Sequence, residues 1–147
     1  MAKNFSRNIW KRKDVRSGYE ERVRKNLDER GINYGYETVK LRYTKDRCKH
    51  CGEVFSTGTY TPDFIIERLS GVRLVVECKG RFTSTDRTKM LRVIRDNPAE
   101  DIRLLFQRDQ NIRKGSQTKY STWCVKNNIK YDFGEEIPQA WIKEKAK

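Results

Sequence analysis

The sequence predicts an α/β protein with a mixed sheet flanked by helices. Segments with helical spacing alternate with short apolar or alternating segments, in the order helix, strands, helix, strand, helix, strand. Two strand-like runs, 60–67 and 72–79, meet across Arg68-Leu69-Ser70-Gly71 and read as a hairpin. The 147 residues are enough for one domain with a buried core.

Each element has a local reason. Residues 1–16 hold six basic groups and one acid and read as a basic arm, with a single domain over 17–147. Ser17 is a candidate N-cap and Glu20 its returning capping-box acid. Tyr19, Val23 and Leu27 then form an apolar stripe, and Gly31 suits the C′ position. A strand is expected at 36–43, where Val39, Leu41 and Tyr43 alternate with Lys40 and Arg42. Residues 44–59 read as a connector carrying Cys48-Lys49-His50-Cys51-Gly52. After the hairpin, Thr85 or Asp86 caps a helix running to about Asn97, with Met90, Leu91 and Ile94 inward and Pro98 just beyond its end. Asp101 to Gln107 is an apolar strand, 117–128 a helix with Tyr120, Trp123 and Cys124, and 129–133 a short strand. Pro138 opens a last turn of helix containing Trp141.

Lys and Arg number 33 against 20 acids, a net charge of +13. That favours a polyanionic partner. No apolar run approaches a membrane span, and no long amphipathic helix has one basic face, so no membrane partner is expected. The N-terminus lacks the apolar core of a signal peptide, so a cytoplasmic protein is expected. Reduced or metal-bound cysteines then fit better than disulfides.

The residues that point to chemistry are Pro62-Asp63 and, 13 residues on, Glu77-Cys78-Lys79. Glu77 and Lys79 lie two apart on a strand and share a face, and Asp63 can join them from the head of the preceding strand. Carboxylates are the hard oxygen ligands that Mg²⁺ prefers, and a lysine can orient water or offset charge on phosphate. The pattern suits a metal-dependent nuclease. A turn-forming Pro-Asp and a solvated Glu–Lys pair would give the same letters.

Several blocks extend the pattern: Arg16-Ser17-Gly18-Tyr19-Glu20, Tyr60-Thr61-Pro62-Asp63-Phe64, Val76-Glu77-Cys78-Lys79-Gly80, Asp101-Ile102-Arg103, Lys114-Gly115-Ser116, Tyr120 and Ile137-Pro138-Gln139-Ala140-Trp141-Ile142-Lys143. In this order, over roughly residues 15–144, the chain resembles the phage endonuclease I family, the Holliday-junction resolvases of T-odd phages. The resemblance implies a restriction-endonuclease-like α/β core and a homodimer whose chains exchange segments. Each site would then take its helix acid from one chain and its strand residues from the other. It implies four-way and other branched DNA as substrate, recognised by shape and cut by paired nicks. The family's catalytic residues fall on Glu20, Asp63, Glu77 and Lys79. Two Mg²⁺ ions per site are expected, with Mn²⁺ able to substitute. Asp63 would bridge them, Glu77 and the Cys78 backbone carbonyl would hold one, and Glu20 the other. Glu20 also has a purely structural explanation as a capping-box acid.

Basic groups suited to phosphate are Arg7, Lys11, Arg12, Lys13 and Arg16 in the arm; Arg81, Arg87, Lys89, Arg92 and Arg95 around the second helix; and Arg108, Arg113, Lys114 and Lys119 further on. Singly each reads as a solvated charge; as a set they predict salt-sensitive binding. Cys48 and Cys51 form half of a zinc site, and zinc wants four ligands. Two chains could pool their knuckles, a local ligand such as His50 or Cys124 could join, or the thiols could be unligated. Cys78, opposite Glu77, and Cys124 read as core residues. Two other functions fit this composition: a duplex restriction or nicking enzyme with the same core, and a basic zinc-knuckle DNA-binding protein without catalysis.

Overall fold

The computed structural model describes residues 18–145, so the expected basic arm and the expected N-cap Ser17 lie outside the described residues. Helix α1 spans Gly18–Glu29 and buries Tyr19, Val23 and Leu27, the expected stripe. It ends in a Schellman arrangement: Ile32 N–H donates to Leu27 O and Gly31 N–H to Asp28 O. Gly31 sits at φ +67°, the left-handed conformation that this ending needs and that glycine adopts without strain.

The expected strand at 36–43 is in fact two strands of different sheets. Strand β1 (Gly35–Tyr36) joins the main sheet, whereas β2 (Leu41–Arg47) pairs antiparallel with β3 (Val54–Tyr60) in a separate two-stranded sheet. Glu37, at φ +52°, breaks the extended run between them. Residues 44–59 are therefore mostly strand, and the expected connector is a hairpin with the cysteine knuckle at its tip. Its polar Ser, Thr and Gly residues face solvent along an exposed ribbon, which is why they read as loop. Tyr43 lies opposite Gly58, where a Cβ would come within 2.5 Å of the tyrosine ring. The base of the hairpin buries Leu41, Tyr43 and Tyr60 and is stitched to the end of the following helix. Thr44 N–H donates to Asp96 Oδ2 (2.6 Å), and Asn97 Nδ2 donates to Arg42 O (2.9 Å).

Strands β4 (Phe64–Ile66) and β5 (Leu74–Lys79) form the expected antiparallel hairpin. Helix α2 (Ser84–Asp96) starts two residues earlier than expected. Thr83 is its cap, and Asp86 is the acid that completes a capping box with it. Its inner face is Met90 and Val93, and Leu91 is 40% exposed, contrary to expectation. Strand β6 (Asp101–Phe106), helix α3 (Tyr120–Lys126), strand β7 (Tyr131–Phe133) and helix α4 (Gln139–Lys143) follow the expected order with shorter limits.

The main sheet runs β1-β4-β5-β6-β7, antiparallel on the β4 side and parallel at β5–β6 and β6–β7. It is mixed, as predicted. Alternation along β5 feeds two cores: Leu74, Val76 and Cys78 pack with Tyr19, Val23 and Leu27 of α1, while Val75 packs with Met90, Val93, Phe82, Trp123 and Cys124. Burial on both faces is why these strands read as near-continuous apolar runs. Cys78 and Cys124 are core residues as expected. Among the described residues, no helix is long and apolar enough to cross a membrane.

Candidate active site

Strand β5 ends in Glu77-Cys78-Lys79, and the chain enters β4 through Pro62-Asp63. Antiparallel pairing of Phe64 with Val76 brings these two ends together. The contact is a double clasp. Cys78 N–H donates to Asp63 Oδ2 at 2.8 Å, and Asp63 N–H donates to Glu77 Oε2 at 3.3 Å. Asp63 and Glu77 are each only 6% exposed. The tip of β5 thus holds two buried carboxylates whose orientation is set by backbone groups.

Lys79 shares the Glu77 face, as the spacing predicted, with Nζ 3.3 Å from Glu77 Oε1 and 3.4 Å from Asp86 Oδ1. Asp86 therefore has two tasks, capping α2 and holding the lysine. Tyr60, at the end of β3, donates its hydroxyl to Glu77 Oε2, and Lys89 lies over its ring at 5.3 Å. Sequence reasoning places Asp86 only as a candidate helix cap and Tyr60 only within a motif block, and gives neither a role in the site. Tyr60 stands three residues before Asp63 in the quoted block, and that proximity was the available signal.

Burial, then repulsion from Glu77 and from Glu20, pushes the Asp63 carboxyl well above the ordinary carboxylate range. Burial raises Glu77 too, against the pull of Lys79 and the Tyr60 hydrogen bond. Burial works against the Lys79 ammonium, but Glu77 and Asp86 outweigh it and its pKa is raised. Lys79 is thus held as a cation.

Glu20 is 8% exposed in the first turn of α1 and accepts a hydrogen bond from the Tyr36 hydroxyl at 2.8 Å. It comes from the sheet face that carries Cys78, opposite the Glu77–Lys79 face. With Cys78, Lys79, Arg81 and Arg22 it lines an open cleft of about 460 Å³. The structure brings Glu20 close enough for its charge to act on Asp63. Among the described residues, no three His, Cys, Asp or Glu side chains are grouped to hold a metal ion. The donor chemistry still fits a hard divalent cation: two buried carboxylates repel each other, and Mg²⁺ takes one or two carboxylates plus water and phosphate.

The basic residues divide by position. Arg81, Arg87, Arg113 and Lys114 line a hollow of about 850 Å³, with Ser84, Ser116 and Thr118. Lys89 and Arg92 line a second, with Lys45, which sequence reasoning missed. Arg87 is partly committed to Phe82 O and Ile112 O, and Arg95 is bound to Asp96 and Thr44 O, so both have structural work. Arg108 and Lys119 line neither hollow. Arg7, Lys11, Arg12, Lys13 and Arg16 lie outside the described residues. Cys48 and Cys51 sit at the far tip of the β2–β3 hairpin, at the opposite end from Tyr60.

An α/β sheet with a buried acid pair and a cationic lysine at one strand end, rimmed by basic hollows, has the makings of a nuclease. The phage endonuclease I family matches residues 1–147. The chain is 36% identical over 148 aligned residues to Endonuclease I of Escherichia phage T7, spanning 100% of this chain and 91% of that protein. It is 33% identical over 148 residues to Endodeoxyribonuclease 1 of Enterobacteria phage T3, spanning 100% and 89%. The chain belongs to the phage endonuclease I family, and it is a nuclease.

Proposed function

We propose that this protein is a metal-dependent, structure-selective endodeoxyribonuclease that resolves four-way and other branched DNA by paired nicks, acting as a homodimer. The observation that carries the hydrolytic reading is the clasped Asp63–Glu77 pair with cationic Lys79 beside it. The names of the T7 and T3 relatives support DNA as substrate. The +13 charge and the basic hollows support binding through phosphates. Among the described residues there is no base-reading module, so selectivity would come from the shape of the branch. Two sites on a symmetric dimer would account for paired nicks.

Asp63, Glu77 and the Cys78 backbone carbonyl would hold Mg²⁺, with Glu20 available to a second ion. When bound, the cations would neutralise charge on the phosphate and activate the attacking water. Asp63 and Glu77 are fixed in advance by the Cys78 and Asp63 amides and by Tyr60, so little reorganisation is needed. Lys79, kept cationic by Glu77 and Asp86, acts electrostatically: it orients the water and offsets charge as the P–O bond breaks. It is not the base.

The test uses a four-way junction and a linear duplex built from the same strands, with Mg²⁺ and with Asp63→Ala alongside. Symmetrical nicks near the branch point, absent from duplex and variant, are expected. Equal cutting of both DNAs would remove junction selectivity, and no cutting with either Mg²⁺ or Mn²⁺ would remove the catalytic reading.

A further inference from the structure

The tip of the β2–β3 hairpin carries chemistry that the acid site does not use. Cys48 N–H donates to Glu53 O at 2.8 Å, and Gly52 N–H donates back to Cys48 O at 2.9 Å, closing a tight turn over Cys48-Lys49-His50-Cys51. Gly52 stands at φ +75°, where any other side chain would be strained. Cys51 follows Cys48 by three residues, so one turn carries both thiols. Both cysteines are free. A plain hairpin needs none of this: its ladder slips at Thr44–Asp46 and again at Asp46–Arg47 to build the turn.

The turn supplies two sulfurs, and a structural zinc site is closed by four ligands. Among the described residues no third His, Cys, Asp or Glu joins these two in a metal cluster. Cys78 and Cys124 are locked in the two cores, 4% and 0% exposed. Just after the turn, Phe55 is 70% exposed and Val54 38%, an apolar surface without cover. A half-site and an uncovered apolar strip on one tip are both completed by the same occupant, a second tip. The charge agrees: Lys45, Arg47 and Lys49 against Asp46 and Glu53 leave each tip net positive, which suits the net negative charge of zinc with four thiolates.

We propose that Cys48 and Cys51 are half of a structural zinc site that the same two cysteines of a second copy complete, clamping two hairpin tips together through one Cys₄ centre. The inference is independent of the hydrolytic reading, because none of its residues is an acid-site residue.

The experiment takes the full chain purified without chelator and combines metal analysis with native mass spectrometry. One zinc per two chains is expected. Cys48→Ser and Cys51→Ser should each lose it, and His50→Ala should keep it. Cobalt(II) exchanged into the unsubstituted protein should give the thiolate-to-metal absorption of a tetrahedral four-sulfur site. That reading stands even where a serine variant folds poorly. Absence of zinc overturns the proposal, as does a Cys48–Cys51 disulfide, or one zinc per chain that His50→Ala abolishes. Cleavage assays on the same samples test the acids separately.

Discussion

Replacing Asp63 by asparagine removes one of two buried like charges and keeps its shape. The amide oxygen can still accept the Cys78 N–H that Asp63 Oδ2 accepts at 2.8 Å, and its NH₂ can donate towards Glu77. Two neighbouring buried carboxylates repel by about 3 kcal/mol at an effective dielectric of about 20. Lys79, 3.3 Å from Glu77, offsets part of this, as does proton uptake by Asp63. The remaining gain of about 1–2 kcal/mol corresponds to about 3–8 °C in Tm for a chain of this size. In chelator, Asp63→Asn should therefore melt above the unsubstituted protein while cleaving DNA about a thousandfold more slowly or worse. The pH dependence follows from the same pair. The folded pKa of Asp63 is raised above its unfolded value. The Asp63 contribution in the metal-free protein is therefore fully present below the ordinary carboxylate pKa and lost as pH rises through the folded value, and the variant removes this part of the pH dependence. Mg²⁺ at a hundredfold excess over its Kd should raise the stability of the unsubstituted protein by about 2.7 kcal/mol and that of the variant by much less. Differential scanning calorimetry in EDTA and in Mg²⁺ reads all of this. A variant that melts lower in EDTA, or responds to Mg²⁺ as fully as the unsubstituted protein, would refute the buried-pair argument.

Three further outcomes follow from the contacts. Lys79→Met keeps the stem and removes the cation, so single-turnover cleavage should fall about 10²–10³-fold with DNA affinity nearly unchanged; a large affinity loss would make Lys79 a binding residue. Phe82 is 1% exposed and packs edge-on against Phe106, Tyr120 and Trp123, so Phe82→Ala should cost about 3–5 kcal/mol in urea unfolding. Arg103, 1% exposed, binds Asp101 and Glu144; burial raises Asp101, but Arg103 and Arg68 outweigh it, and Arg103 lowers Glu144. Their stabilisation is present above the unfolded carboxylate pKa and lost as pH falls through the folded values. Arg103→Met should therefore destabilise by about 3 kcal/mol at neutral pH and shrink the acid-side loss in a pH series of urea melts.

Most of the main sheet was legible because its strands are buried on both faces. Period and capping chemistry are encoded within a few residues, and Asp63, Glu77 and Lys79 meet through one antiparallel pair that the sequence itself suggests. The misreadings occur where tertiary contact decides. The strand at 36–43 splits because Glu37 takes a left-handed conformation while its N–H donates to Asp63 O, a contact between distant residues. The hairpin at 44–59 was read as a connector because its residues are polar on both faces. Leu91 was assigned inward from spacing alone, yet Val93 takes that place because the hairpin base covers that side of α2. The site roles of Tyr60 and Asp86 escaped notice because they are second contacts, visible only once Glu77 and Lys79 are placed.

The β2–β3 hairpin links these observations. Its base presents Tyr60 to Glu77 and is tied to α2 through Asp96 and Asn97, while α2 presents Asp86 to Lys79. The acid pair is therefore braced from two elements outside its own strands. Shortening the ribbon beyond Thr44 and Thr57 should leave that brace intact, because the contacts with Asp96, Asn97 and Glu77 all arise from Thr44 and residues nearer the base. Loss of the tip and loss of the brace are separable perturbations: the first removes the cysteine turn and the exposed Phe55, the second frees Glu77 to swing. Tyr60→Phe isolates the second without touching the ribbon. Because Tyr60 acts through Glu77 and not on the phosphate, its removal should lower the maximal cleavage rate and weaken the Mg²⁺ dependence while junction affinity in Ca²⁺ stays unchanged. A change in junction affinity with the Mg²⁺ dependence unmoved would place Tyr60 at the DNA and not behind the acid.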